Sequence, residues 1–157
     1  MKLIYLMILT IFILKVEAQT AQFSINGNEY NITHTSKDTV IETHAAPSFI
    51  EMIFRMPSIQ KKNLYDVVSI NFYGNTAGIY KIGCCAPGMY HQSYRNEIIA
   101  TYWEDNRKQT RLAITENTVG NITITEVKGR KVSGNYYYNT QGSVIKGSFK
   151  DIEVSGL

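Results

Sequence analysis

Cys84 and Cys85 are the only two cysteines in the chain. They open the segment Cys84-Cys85-Ala86-Pro87-Gly88-Met89-Tyr90-His91, an unusual concentration of reactive side chains. Three chemistries fit these residue types. In an oxidising compartment the neighbours can close a vicinal disulfide, whose small strained ring stiffens or switches its segment and reduces easily. Two thiolates with Met89 and His91 form a soft donor set suited to Cu(I), although the spacing matches no established zinc or copper motif. Alternatively, one or both thiols are small buried loop residues. We carry forward a candidate vicinal disulfide and expect no bound metal or cofactor.

The chain has no G-x-S-x-G elbow, H-E-x-x-H pair, P-loop, G-x-G-x-x-G turn or EF-hand loop. Nucleophilic catalysis would have to recruit His34, His44 or His91, and none stands in a motif. His34 and His44 read as polar loop or strand-edge residues. Glycoside hydrolysis needs two facing carboxylates, and Glu51, Glu104 and Asp105 fall on apparent surface positions. No catalytic residue is assigned.

Aromatic residues offer a second kind of chemistry. In Tyr136-Tyr137-Tyr138 the strand period of two turns Tyr137 away from its neighbours. Exposed aromatic rings give rigid amphipathic contact area. Tyr137, Trp103, Tyr90, Tyr94 and His91 are therefore the candidate binding residues, suited to a small molecule, a glycan or a protein. Asn31-Ile32-Thr33 and Asn121-Ile122-Thr123 match the N-glycosylation acceptor pattern.

These residues must be held by strands. Residues 22–25 and 29–32 flank Asn26-Gly27, the strongest short hairpin signal. Alternation continues over 49–56, where Ile50, Met52, Phe54 and Met56 share a face, and over 67–73, 98–103 and 111–115. Residues 78–82 form a further short strand. Residues 45–56 have helical length, but their apolar period is two. Residues 57–66 have room for one helical turn, and 83–96 reads as a long loop. Residues 121–127, 131–139 and 143–154 are joined by turns at Lys128-Gly129 and Gln141-Gly142, which makes an antiparallel meander. Ile122 and Ile124 should share its buried face with Val132, Tyr136, Tyr138, Ile145 and Phe149. Gly134 and Gly147 mark a bulge, a bend or close packing under a large neighbour.

The N-terminus supplies an address. Lys2 precedes the apolar run from Leu3 to Leu14, and Val16-Glu17-Ala18 follows, the pattern of a secretory signal peptide cleaved after Ala18. The run is shorter than the roughly 20 residues a membrane-spanning helix needs. The domain expectation is a signal peptide over 1–18 and one all-β domain over 19–157. The chain carries 16 Lys and Arg against 13 Asp and Glu. Residues 1–18 hold Lys2, Lys15 and Glu17, so the remainder is nearly neutral at +2. Its charges are interspersed, with no basic stripe for nucleic acid and no polybasic run for a membrane. Two adjacent cysteines make no disulfide framework, so stability must come from an apolar core. About nine to eleven short strands are expected, forming a sandwich or a partly closed barrel.

The C-terminal meander resembles a family of small secreted bacterial β-proteins of uncharacterised activity, many of them lipoproteins. The resemblance lies in Gly120-Asn-Ile-Thr-Ile-Thr-Glu126, Val132-Ser-Gly-Asn-Tyr136 and Ile145-Lys-Gly-Ser-Phe149, with Tyr136 and Tyr138 where that pattern favours Phe. Gly78-Ile-Tyr80 and Phe23-Ser-Ile-Asn-Gly-Asn28 are similar to its middle strand and opening hairpin. It implies a β-fold outside the cytoplasm and no particular activity. No cysteine follows Ala18, so the lipid anchor of many members is not expected here.

Three functional readings follow. The first is a secreted or periplasmic, soluble, non-catalytic binding or accessory module. The second is a lipocalin-like or avidin-like barrel holding a small apolar molecule, although the G-x-W entrance motif of lipocalins is absent. The third is a hydrolase with an unrecognised site.

Overall fold

The computed structural model describes residues 18–33, 40–46, 49–83, 96–112, 119–140 and 142–157, with backbone alone at 40, 44, 46, 111 and 112. These residues form eleven strands and no helix. In chain order they are β1 (Thr20–Ile25), β2 (Asn28–Thr33), β3 (Val40–Ala46), β4 (Phe49–Pro57), β5 (Tyr65–Phe72), β6 (Gly78–Lys81), β7 (Glu97–Glu104), β8 (Arg107–Leu112), β9 (Val119–Lys128), β10 (Lys131–Thr140) and β11 (Ser143–Glu153).

Two antiparallel sheets result. One has the order β2-β1-β11-β10-β9-β6, the other β3-β4-β5-β7-β8. They do not close into a barrel, so the architecture is a β-sandwich. Each inner face is the apolar half of an alternating strand. Ile50, Met52, Phe54 and Met56 of β4 face Phe23, Tyr136, Ile145 and Phe149 of the other sheet, all buried. The Phe23 and Phe54 rings meet across the sandwich with centroids 4.8 Å apart, and Phe72 meets Tyr80 at 4.9 Å.

The expected meander is present in β9, β10 and β11, with the seven apolar residues assigned to its inner face all buried. Asn26 and Gly27 have φ of 49° and 86°, as the opening hairpin requires. Two expectations need correction, and one strand is added to them. Residues 57–66 hold bends and a turn rather than a helical turn, because Pro57 still belongs to β4 and Tyr65 already pairs with it. Residues 40–46 form a strand, β3, in register with β4. The strand expected over 111–115 begins earlier, at Arg107, because Asp105 and Asn106 take left-handed φ values of 48° and 61° and close a two-residue hairpin.

Gly134 and Gly147 have a shared reason. In the β10–β11 register Gly134 pairs with Phe149, and Tyr136 with Gly147. Each aromatic ring lies over the opposing glycine: a Cβ at Gly134 would sit 2.8 Å from Phe149 Cζ, and one at Gly147 would sit 2.8 Å from the Tyr136 hydroxyl. A register shift between Val132 and Gly134 bends the strand beside them.

At the far end, residues 153–155 strap the open edge of β3. Thr43 Oγ1 donates to the Glu153 carbonyl (2.9 Å), and the Ala45 amide donates to the Ser155 carbonyl (3.0 Å). Pairing an edge in this way removes a template for aggregation.

Candidate functional site

Three polar knots fix the frame, two of them centred on buried side chains. Asp66, fully buried at the start of β5, accepts from the Tyr30 hydroxyl at Oδ2 (2.6 Å) and from the Trp103 amide at Oδ1 (2.9 Å). It thereby ties β2 of one sheet to β5 and β7 of the other. Asn96 accepts the Tyr73 amide (2.8 Å) and donates to the Lys81 carbonyl (3.1 Å), while the Gly83 amide donates to the Asn96 carbonyl (2.9 Å). This clamps both ends of the 84–95 connection. At the hairpin tip, Asn26 accepts the Val144 amide (3.1 Å) and donates to the Tyr102 hydroxyl (3.1 Å). Sequence reading did not single out Asp66 or Asn96, and it used Asn26 only as a turn former.

Burial, then the Asp66 hydrogen bond and charge, push the Tyr30 hydroxyl far above its ordinary pKa of 10.0. Burial alone does the same to Tyr136, whose hydroxyl has no partner among the described residues. The fold therefore favours both neutral phenols. Stability from these groups is complete below pH 10 and is lost as pH rises above it. We expect alkaline unfolding in which Tyr30 and Tyr136 ionise only with loss of the fold, seen as coincident tyrosinate absorbance and circular dichroism transitions. Complete tyrosine ionisation with the fold intact would contradict this.

The candidate binding residues fare differently. Cys84, Cys85, Tyr90, His91 and Tyr94 lie outside the described residues. Trp103 is half-buried on the outer side of β7, and Tyr137 is 40% exposed on the outer side of β10. They belong to different sheets and do not share a surface. Among the described residues no three His, Cys, Asp or Glu side chains gather as a metal site.

Tyr137 occupies a built position. The strand order and registers align Glu29, Ser24, Lys146, Tyr137, Asn121 and Lys81 in one row across all six strands. The adjacent outward row reads Asn31, Gln22, Ser148, Asn135, Thr123 and, at its end, Ile79. The second row is thus a ladder of amides and hydroxyls. Both asparagines of the glycosylation patterns sit on this face. Tyr137 is a ridge between two surface concavities. One, of about 420 Å³, is lined by Gln22, Ser24, Glu29, Lys146 and Ser148 beside it. The other, of about 470 Å³, is lined by Ile79, Lys81, Val119, Gly120 and Asn121. Ile79 and Val119 are 72% and 68% exposed, so the face also carries apolar surface.

The sandwich leaves the closed-barrel route to a small apolar ligand without an architecture to carry it. No protein-family model, no curated protein and no solved structure matches the chain.

Proposed function

We propose that the chain is an exported, soluble, non-catalytic binding module that takes its ligand on the outer face of the six-stranded sheet, around Tyr137. The observation that carries this reading is the half-exposed Tyr137 ring standing between two concavities, framed by residues from five other strands. A buried tyrosine would serve the core. This one is turned out of it, and its hydroxyl accepts from Asn139 Nδ2 at 3.4 Å on the same face. The rigid sandwich beneath supplies preorganisation, which lowers the entropy cost of binding. Export rests on the signal pattern of residues 1–18. Cleavage after Ala18 leaves β1 whole, since that strand begins at Thr20. The resemblance to small secreted bacterial β-proteins agrees with the compartment.

A thermal-shift screen of glycans and small molecules tests the reading. A ligand at about a hundred times its Kd adds about 2.7 kcal/mol to stability, a shift of several degrees. Tyr137→Ala should abolish that shift while leaving the ligand-free protein within about 1 kcal/mol of wild type, the span of strand propensity. A ligand shift undiminished in Tyr137→Ala would overturn the proposed face.

A further inference from the structure

We infer that the ligand is an acidic oligosaccharide, a uronate chain laid across the strands with one sugar stacked on Tyr137 and its carboxylates meeting Lys81 and Lys146. The inference rests on the binding face proposed above and names its ligand chemistry. Tyr137 supplies the flat apolar surface that the C–H face of a pyranose requires. Beside it, the row of Asn31, Gln22, Ser148, Asn135 and Thr123 presents side chains that each donate and accept hydrogen bonds. Sugar hydroxyls have that same double character.

Charge selects among sugars. Lys146 pairs directly with Tyr137 across β10 and β11, and Lys81 lies two strands to the other side, opposite Asn121. Neither ammonium has a carboxylate partner among the described residues. From β11 to β6 there are three strand spacings, so the lysines stand about 14 Å apart at their backbones. That is a sparse pair of cations. A single nucleic-acid strand is gripped by several stacking aromatics along a continuous basic groove, where this face offers, among the described residues, one exposed aromatic, Tyr137, between two lysines. A protein partner would call for a centre rich in aromatics, Met and Arg; here the row beside Tyr137 is amides and hydroxyls, and the exposed aliphatic side chains are Ile79 and Val119 at the β6–β9 edge. Glu29, two strands beyond Lys146 in the same row, ends the cationic stretch on that side, so carboxylates are met over the span from Lys146 to Lys81.

Calorimetric titration of the mature protein with oligogalacturonate, oligomannuronate and oligoguluronate, each beside a counterpart whose carboxyls are reduced to alcohols, tests the inference. At least one uronate should bind at least tenfold more tightly than its neutral counterpart at low salt. Lys81→Ser/Lys146→Ser should lose that preference, and added salt should erode it. Tyr137→Ala should lose both ligands. Equal binding of a uronate and its neutral counterpart, lost in Tyr137→Ala, would overturn the acidic assignment and leave the binding face standing. Binding that survives Tyr137→Ala would overturn the face itself. Failure of all three uronates to bind, with a neutral or other ligand found in the thermal-shift screen, would overturn the uronate assignment alone.

Discussion

Asp66→Ala is expected to cost about 3 kcal/mol or more of unfolding free energy. The substitution leaves the Tyr30 hydroxyl and the Trp103 amide without their acceptor inside the sandwich. Each buried donor left unpaired costs about 1–3 kcal/mol, and hydrogen bonds to a charged group lie at the upper end. Against a total stability of about 5–15 kcal/mol, that is a large fraction. For a domain of this size it corresponds to a fall in Tm of about 10 °C. Tyr30→Phe removes only one donor and should cost less. The double variant should be less destabilised than the sum of the singles, because the two groups share one bond. Urea unfolding of the three variants reads this directly. A loss below about 1 kcal/mol for Asp66→Ala would show that the knot does not hold the sheets together.

Gly147→Ala should be nearly as damaging, also at about 3 kcal/mol, for a steric reason. Its Cβ would meet the Gln22 carbonyl oxygen of β1 as well as the Tyr136 hydroxyl. A carbonyl inside a ladder cannot swing away as a side chain can, so the strand itself must shift. Overpacking of this kind costs about 1–3 kcal/mol, occasionally more. Gly134→Ala meets the Thr123 carbonyl and the Phe149 ring in the same way. By contrast, Gly27 and Gly142 have nothing within 4 Å of a Cβ, and only their left-handed φ of 86° and 84° argues against substitution. Stability measurements should therefore rank Gly147→Ala and Gly134→Ala well below Gly142→Ala. Equal losses at all three would contradict the ring-over-glycine packing.

Much of the sandwich was readable because its strands obey a period of two. Tyr136, Tyr137 and Tyr138 alternate inward, outward and inward as that period requires, which brought Tyr137 forward as a contact residue. The Asn26-Gly27 turn carried its own signal. Strand β8, Arg-Lys-Gln-Thr-Arg-Leu, did not, since five of its six residues are polar and no apolar face shows. Its start was hidden by Asp105-Asn106, a left-handed turn without glycine. Asp66 was invisible for another reason: its partners lie 36 and 37 positions away, and no local pattern links them. The setting of Tyr137 was half legible. The Gln141-Gly142 turn already places Lys146 opposite Tyr137, whereas Lys81 becomes a row mate only through the strand order that sets β6 beside β9. Joining Trp103 to Tyr137 failed because β7 and β10 belong to different sheets.

The most direct test of the binding face is amide chemical-shift mapping of the mature protein titrated with the uronate that binds. The account predicts perturbations centred on Tyr137, Asn121, Lys81 and Lys146, fading toward the strap at residues 153–155. Perturbations confined to the five-stranded sheet around Trp103, or to segment 84–95, with the six-stranded face unchanged, would contradict it.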